Sequence, residues 1–201
     1  MSTDPRADFA RAADWFVELV HLIPTEAWTQ PGIGEWDVRA LVGHTSRSLI
    51  TVDTYLDQLA DRVVVETPED YYLQIEGLSR QPGVAERGRK AGEALGEDPA
   101  ATVTGLRDRV LARLPADDPV IETIAGGMRL SDYLPTRVFE QVVHGFDVTA
   151  ATGIEAPAPD PDFITATIAL ASRVAVRSGH GPAVLNALTG RAPLPPGFSV
   201  V

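Results

Sequence analysis

The sequence contains no cysteine, which excludes disulfides, thiolate metal sites and a cysteine nucleophile. Lysine is almost absent. Lys90 is the only one, and the other positive charges are scattered arginines. Seventeen Lys plus Arg stand against 28 Asp plus Glu, a formal net charge of −11. With no basic stripe to offset it, that balance repels phosphate backbones and argues against a nucleic-acid partner. No apolar run reaches about eighteen residues, the length that crosses a membrane. The first residues, MSTDPRADF, have no apolar signal core. The expectation is a cytoplasmic protein with no membrane partner.

What is present is the composition of an ordinary globular chain: 201 residues, 44% hydrophobic and 22% charged, long enough for one sizeable core. Phe9, Ala13, Phe16, Val20 and Ile23 alternate by four and three, which predicts a helix over 7–23 with one buried face. Trp15, Leu19 and Leu22 widen that stripe, and Pro24 ends it. Turn residues follow, with Pro31, Gly32 and Gly34. Asp37 then caps a second helix, whose apolar positions Val38, Val42, Thr45, Leu49, Val52, Leu56 and Leu59 keep the same alternation.

Residues 61–82 fit either a short strand or a loop plus a turn of helix. Residues 83–95 predict a weak polar helix interrupted by Gly88 and Gly92. Asp98 caps a helix to Arg113, with Val103, Leu106, Val110, Leu111 and Leu114 inward. VIETIAGGMRL reads as a hairpin split by Gly126-Gly127. Ser131 opens a long helix to about Ala151, with Pro135 early enough to be tolerated. The expected division is a helical bundle over 1–152, then a proline-rich linker and short helical extension over 153–201. That extension is too small for its own core and is expected to pack back on the bundle. No internal repeat is visible.

Among the four histidines, His21 suits a helix C-terminus, where a positive ring is mildly favoured. His180 sits in a Ser-Gly-His-Gly break and points to no chemistry by itself. His44 falls on the edge of the second helix's apolar stripe. His144 lies one turn after Glu140, and residues four apart on a helix project side by side. Tyr133, Arg137, Glu140, His144 and Asp147 form one polar strip. Spacing leaves two readings: a solvated face with weak surface ion pairs, or a pair of side chains able to grip one cation.

The segment Trp28…Pro31-Gly32-Ile33-Gly34-Glu35-Trp36-Asp37-Val38-Arg39-Ala40-Leu41-Val42-Gly43-His44 resembles the DinB/YfiT-like superfamily. Continuing to Leu49, it resembles the mycothiol-dependent maleylpyruvate isomerase-like branch. Met128–Leu134 running into Arg137–Asp147, and the tail Leu188-Thr189-Gly190-Arg191…Leu194-Pro195, resemble the same group. Residues 60–125 add little to the likeness.

The resemblance implies an all-α fold, a DinB-like four-helix bundle with a short C-terminal helical extension. It implies one divalent metal ion, usually zinc, held by His44, Glu140 and His144. Bundles commonly build metal sites from facing helices, and three protein ligands leave a fourth position open, the catalytic pattern. The implied chemistry is a thiol-dependent transfer or isomerisation. Mycothiol or a relative would be the low-molecular-weight thiol and a small electrophile its partner. Arg137 and Arg47 are candidates for pairing a substrate carboxylate, since the guanidinium fork matches that group; structural ion pairing is the other reading for both. Asp147 is a candidate for orienting a ligand from behind. A non-catalytic metal- or ligand-binding module and a metal-dependent hydrolase are the alternatives, and the sequence is compatible with a homodimer. Family members with isomerase architecture carry a larger second domain, where only residues 163–201 follow the linker here. The resemblance therefore does not carry maleylpyruvate over as substrate.

Overall fold

The computed structural model of the chain describes residues 4–79 and 83–201. Its elements are α1 (Pro5–His21), α2 (Val38–Tyr55), α3 (Pro68–Ser79), α4 (Val84–Glu93) and α5 (Pro99–Arg113). A hairpin of β1 (Val120–Thr123) and β2 (Gly126–Arg129) follows, then α6 (Leu130–Thr152), α7 (Pro161–Arg177) and α8 (Gly181–Leu188). Aspartates start four of the helices. Asp4, Asp37, Asp98 and Asp160 each accept a backbone N–H of the first turn, contributing about 1 kcal/mol apiece. α6 begins differently: Asp118 reaches across and accepts from both the N–H and the hydroxyl of Ser131, at 2.8 and 2.9 Å.

α1, α6, α2 and α5 pack in a closed ring, each against the next, and this is the four-helix bundle. Its core is the set of faces marked by the four-three spacing, with Phe9, Phe16, Leu19, Leu41, Leu49, Val110 and Leu134 all buried. α7 adds Phe163, Leu170 and Val174 to the same apolar cluster, and Trp15 Nε1 on α1 donates to the Pro157 carbonyl of the linker at 2.9 Å. On α3, Glu69 and Asp70 form ion pairs with Arg173 and Arg177 of α7. α8 has no buried residue.

Several details depart from the expectations. The second helix ends at Tyr55, and Leu59 is 68% exposed. The chain straightens there because Gln58 O accepts from Glu122 N and Ala60 N donates to Val120 O, tying the segment to the hairpin. Leu22, expected in the first stripe, is half exposed at the end of α1.

Within 61–82, Val65 is buried beside Met128 in an extended stretch, after which α3 makes three turns. Its start is written in Thr67-Pro68-Glu69-Asp70: the Thr67 hydroxyl accepts from Asp70 N at 3.1 Å and donates to the Asp70 carboxylate at 2.7 Å. Pro68 occupies the first helical position, where a missing N–H costs nothing.

Gly88 and Gly92 do not interrupt α4; they let it pack closely on Trp36 and on α2. A Cβ on Gly43 would sit 2.2 Å from Gly92 N, and one on Gly88 would sit 2.3 Å from Trp36 Nε1.

Candidate metal centre

α2 and α6 run antiparallel, and two contacts fix their register. The rings of His44 and His144 meet edge to face with centroids 5.0 Å apart. Two turns further along α2, Thr51 Oγ1 accepts from the hydroxyl of Tyr133, near the start of α6, at 2.9 Å. The register brings His44 from one helix to the Glu140–His144 pair on the other. One ligand atom from each of these three side chains lies within 4.8 Å of the other two. Glu140 Oε2 is 3.4 Å from His144 Nε2. Ligand atoms of a tetrahedral ion with bonds of about 2.0–2.1 Å lie about 3.3–3.4 Å apart, so this edge already has the right length. The side chains of Glu140 and His144 keep 22% and 19% exposure, which leaves solvent a path to them.

Each of the three is held from behind. Asp147 Oδ2 lies 2.9 Å from His144 Nδ1, so that nitrogen keeps the proton it donates, and Nε2 is the nitrogen that presents a lone pair to the cluster once the ring is neutral. The buried hydroxyl of Tyr72, on α3, donates to Glu140 Oε1 at 2.9 Å, with the Thr136 carbonyl at 3.1 Å. The Trp36 indole stacks on His44 with centroids 4.5 Å apart at 33°, and its Nε1 donates to Ala85 O of α4 at 3.0 Å.

The electrostatics follow from this crowding. Burial, reinforced by the neighbouring His144 ring, lowers the His44 pKa from 6.5 to about 4. Burial also disfavours charge on His144, but its bonds to Asp147 and Glu140 outweigh that and raise it to about 9. Glu140 is likewise desolvated, yet its bond to His144, the nearby charge of Arg137 and the hydroxyl of Tyr72 bring it down to about 2. The cluster therefore holds an ionised carboxylate, a neutral ring and a ring whose proton a metal must displace.

Arg137, expected as a carboxylate partner, is 7% exposed. Its guanidinium lies 4.8 Å from the Tyr133 ring centroid and 5.3 Å from that of Tyr71, with Nε donating to Thr136 Oγ1 at 3.0 Å. Tyr55 and Tyr72 complete the group through ring contacts with Tyr133 and Tyr71. All four tyrosines of the chain thus gather around one arginine, beside Glu140. Arg47 is exposed on α2, one turn past His44. Neither arginine has an ion-pair partner among the described residues. His21 and His180 lie elsewhere, the first against Thr104 and the second beside Phe198. No periodicity in the sequence singles out Tyr71 and Tyr72; the Thr67–Asp70 cap is the signal that a helix presents them.

Two histidines and a carboxylate converging from facing helices of a bundle are a donor set of the kind that suits a divalent ion. The chain belongs to the family described as the mycothiol maleylpyruvate isomerase N-terminal domain, which matches residues 9–149. That span takes in the whole triad and stops before α7. No curated protein and no solved structure matches the chain. No helix among the described residues is long and apolar enough to cross a membrane.

Proposed function

We propose that the protein is a zinc-dependent enzyme of thiol chemistry, using mycothiol or a related low-molecular-weight thiol on a small electrophile, by S-transfer or by isomerisation. The observation that carries this reading is the convergence of His44, Glu140 and His144 within 4.8 Å, in a chain of this family. Two imidazoles and one carboxylate are donors that suit zinc, and three ligands leave a position for a fourth. A divalent ion there would bind the thiol as its thiolate, nucleophilic at neutral pH.

The chain's own residues supply the rest. Glu140 stays ionised through its bond to His144, the nearby charge of Arg137 and the hydroxyl of Tyr72. Asp147 directs the His144 lone pair. Arg137, cradled on tyrosine faces rather than paired with a carboxylate, is suited to receive an anionic group of the electrophile. Arg47, exposed near His44, is suited to the same task nearer solvent. In this reading the protein works in the cytoplasm, where such thiols are kept reduced. Its partners are two small molecules.

Metal analysis followed by calorimetry with mycothiol tests the proposal. About one ion per chain is expected, lost in His44→Ala and His144→Ala. The thiol should bind the loaded protein and not the stripped one, with proton release. Full metal occupancy in both variants would remove the metal assignment. Equal thiol affinity for loaded and stripped protein would favour a binding module over an enzyme.

A further inference from the structure

We propose that Tyr72 is a positioning residue that restricts Glu140 to coordination through one oxygen, keeping the centre at three protein ligand atoms with its remaining position free. The inference rests on the metal reading above and adds a residue and a role to it.

The two carboxylate oxygens of Glu140 have different surroundings. Oε2 faces the cluster, 3.4 Å from His144 Nε2. Oε1 accepts the hydroxyl of Tyr72 at 2.9 Å. Tyr72 is 4% exposed, so its proton has no water to turn to and must be given to a protein acceptor. Two are within reach, Glu140 Oε1 and the Thr136 carbonyl at 3.1 Å. The carboxylate is the stronger, because bonds to an ionised acceptor are about twice as strong as neutral ones. The Thr136 carbonyl also faces the N–H of Glu140 one turn later within α6. Burial raises the phenol far above its ordinary range, so it remains a donor.

The ring is itself immobilised. It packs against Phe139 with centroids 5.2 Å apart and against Tyr71 at 5.7 Å, nearly perpendicular. Helix α3, which carries both tyrosines, is tied to α7 by Glu69 with Arg173 and by Asp70 with Arg177. A donor fixed from a third helix therefore occupies the oxygen that would otherwise be free to swing onto the ion. A glutamate with both oxygens available readily binds through both. That would fill the position a fourth ligand needs. The carboxylate geometry is thus set by α3, an element that supplies no ligand of its own.

The test is cobalt(II) substitution of the whole chain, comparing wild type, Tyr72→Phe and Tyr71→Phe by visible absorption and by competition titration. Circular dichroism and melting of the metal-free forms show that each is folded. Wild type and Tyr71→Phe should give the intense visible bands of four-coordinate cobalt. Tyr72→Phe should give the weaker, shifted bands of a five-coordinate ion and bind about ten- to a hundredfold less tightly, the usual loss when a ligand's partner is removed. A four-coordinate spectrum and unchanged affinity in Tyr72→Phe would overturn the role of Tyr72 while leaving the metal site standing. So would a five-coordinate spectrum in the wild type. Failure of the wild type to bind cobalt at all would instead remove the metal reading, and this inference with it.

Discussion

Asp147 and His144 are one turn apart on α6, and the Asp147 carboxylate lies 2.9 Å from Nδ1 of the ring. That contact decides which nitrogen faces Glu140. Without it the neutral imidazole is free to carry its proton on either nitrogen, and part of the population presents no lone pair to an ion. Asp147→Ala should therefore weaken metal binding about ten- to a hundredfold. Asp147→Asn keeps an acceptor oxygen and should lose much less. Competition against a coloured chelator measures both, and equal affinities for wild type and the alanine variant would contradict the assignment.

The glycines of the α2–α4 contact and of α5 give opposite predictions for the same substitution. Gly88→Ala would place a methyl group 2.3 Å from Trp36 Nε1, where neither α4 nor the indole can stay. Trp36 stacks on His44, so the displacement reaches the candidate site. The expected cost is about 1–3 kcal/mol, the range for overpacking a close contact, with a change in tryptophan fluorescence. Gly105→Ala, on α5, meets nothing within 4 Å and should stabilise by about 1 kcal/mol through helix propensity. Thermal melts of the two variants should move in opposite directions, and a common direction would contradict the packing described for α4.

Much of this architecture is legible in the sequence. α1, α2, α5 and α6 each bury one face, and a single buried face writes itself as a four-three alternation. Glu140 and His144 were visible together because helix spacing is local. The remainder depended on contacts between distant segments. α2 stops at Tyr55 because the following residues pair with the hairpin, which no periodicity in 38–59 records. Gly88 and Gly92 carry the wrong propensity for a helix, yet close approach to Gly43 and Trp36 demands them. Tyr71 and Tyr72 join Arg137 and Glu140 only through docking of α3. Neighbouring sequence offers no trace of that partnership.

The opposed shifts of the two histidines predict how stability depends on pH. His144 titrates near 9 in the folded, metal-free protein against 6.5 for an unperturbed ring. Its contribution is fully present below 6.5 and is lost as pH rises through 9. His44 titrates near 4 against the same 6.5. Between those values the unfolded chain takes up a proton that the folded chain refuses, so stability falls as the solution is acidified. Glu140, near 2 against 4.5, contributes above 4.5 and loses that contribution as pH drops towards 2. For these groups together, the metal-free protein should be most stable near pH 6.5 and weaken on both sides. Adding the ion changes the alkaline side. Binding displaces the His144 proton, so affinity should rise about tenfold per pH unit between 6.5 and 9 and then level off. The stabilisation conferred by metal follows the affinity through linkage, so the gap between the melting temperatures of loaded and chelator-stripped protein should widen steadily from about pH 6.5 to 9. His144→Ala should abolish that gap at every pH. A gap constant across this range, in protein shown to bind the ion, would mean that His144 holds no proton for the metal to displace.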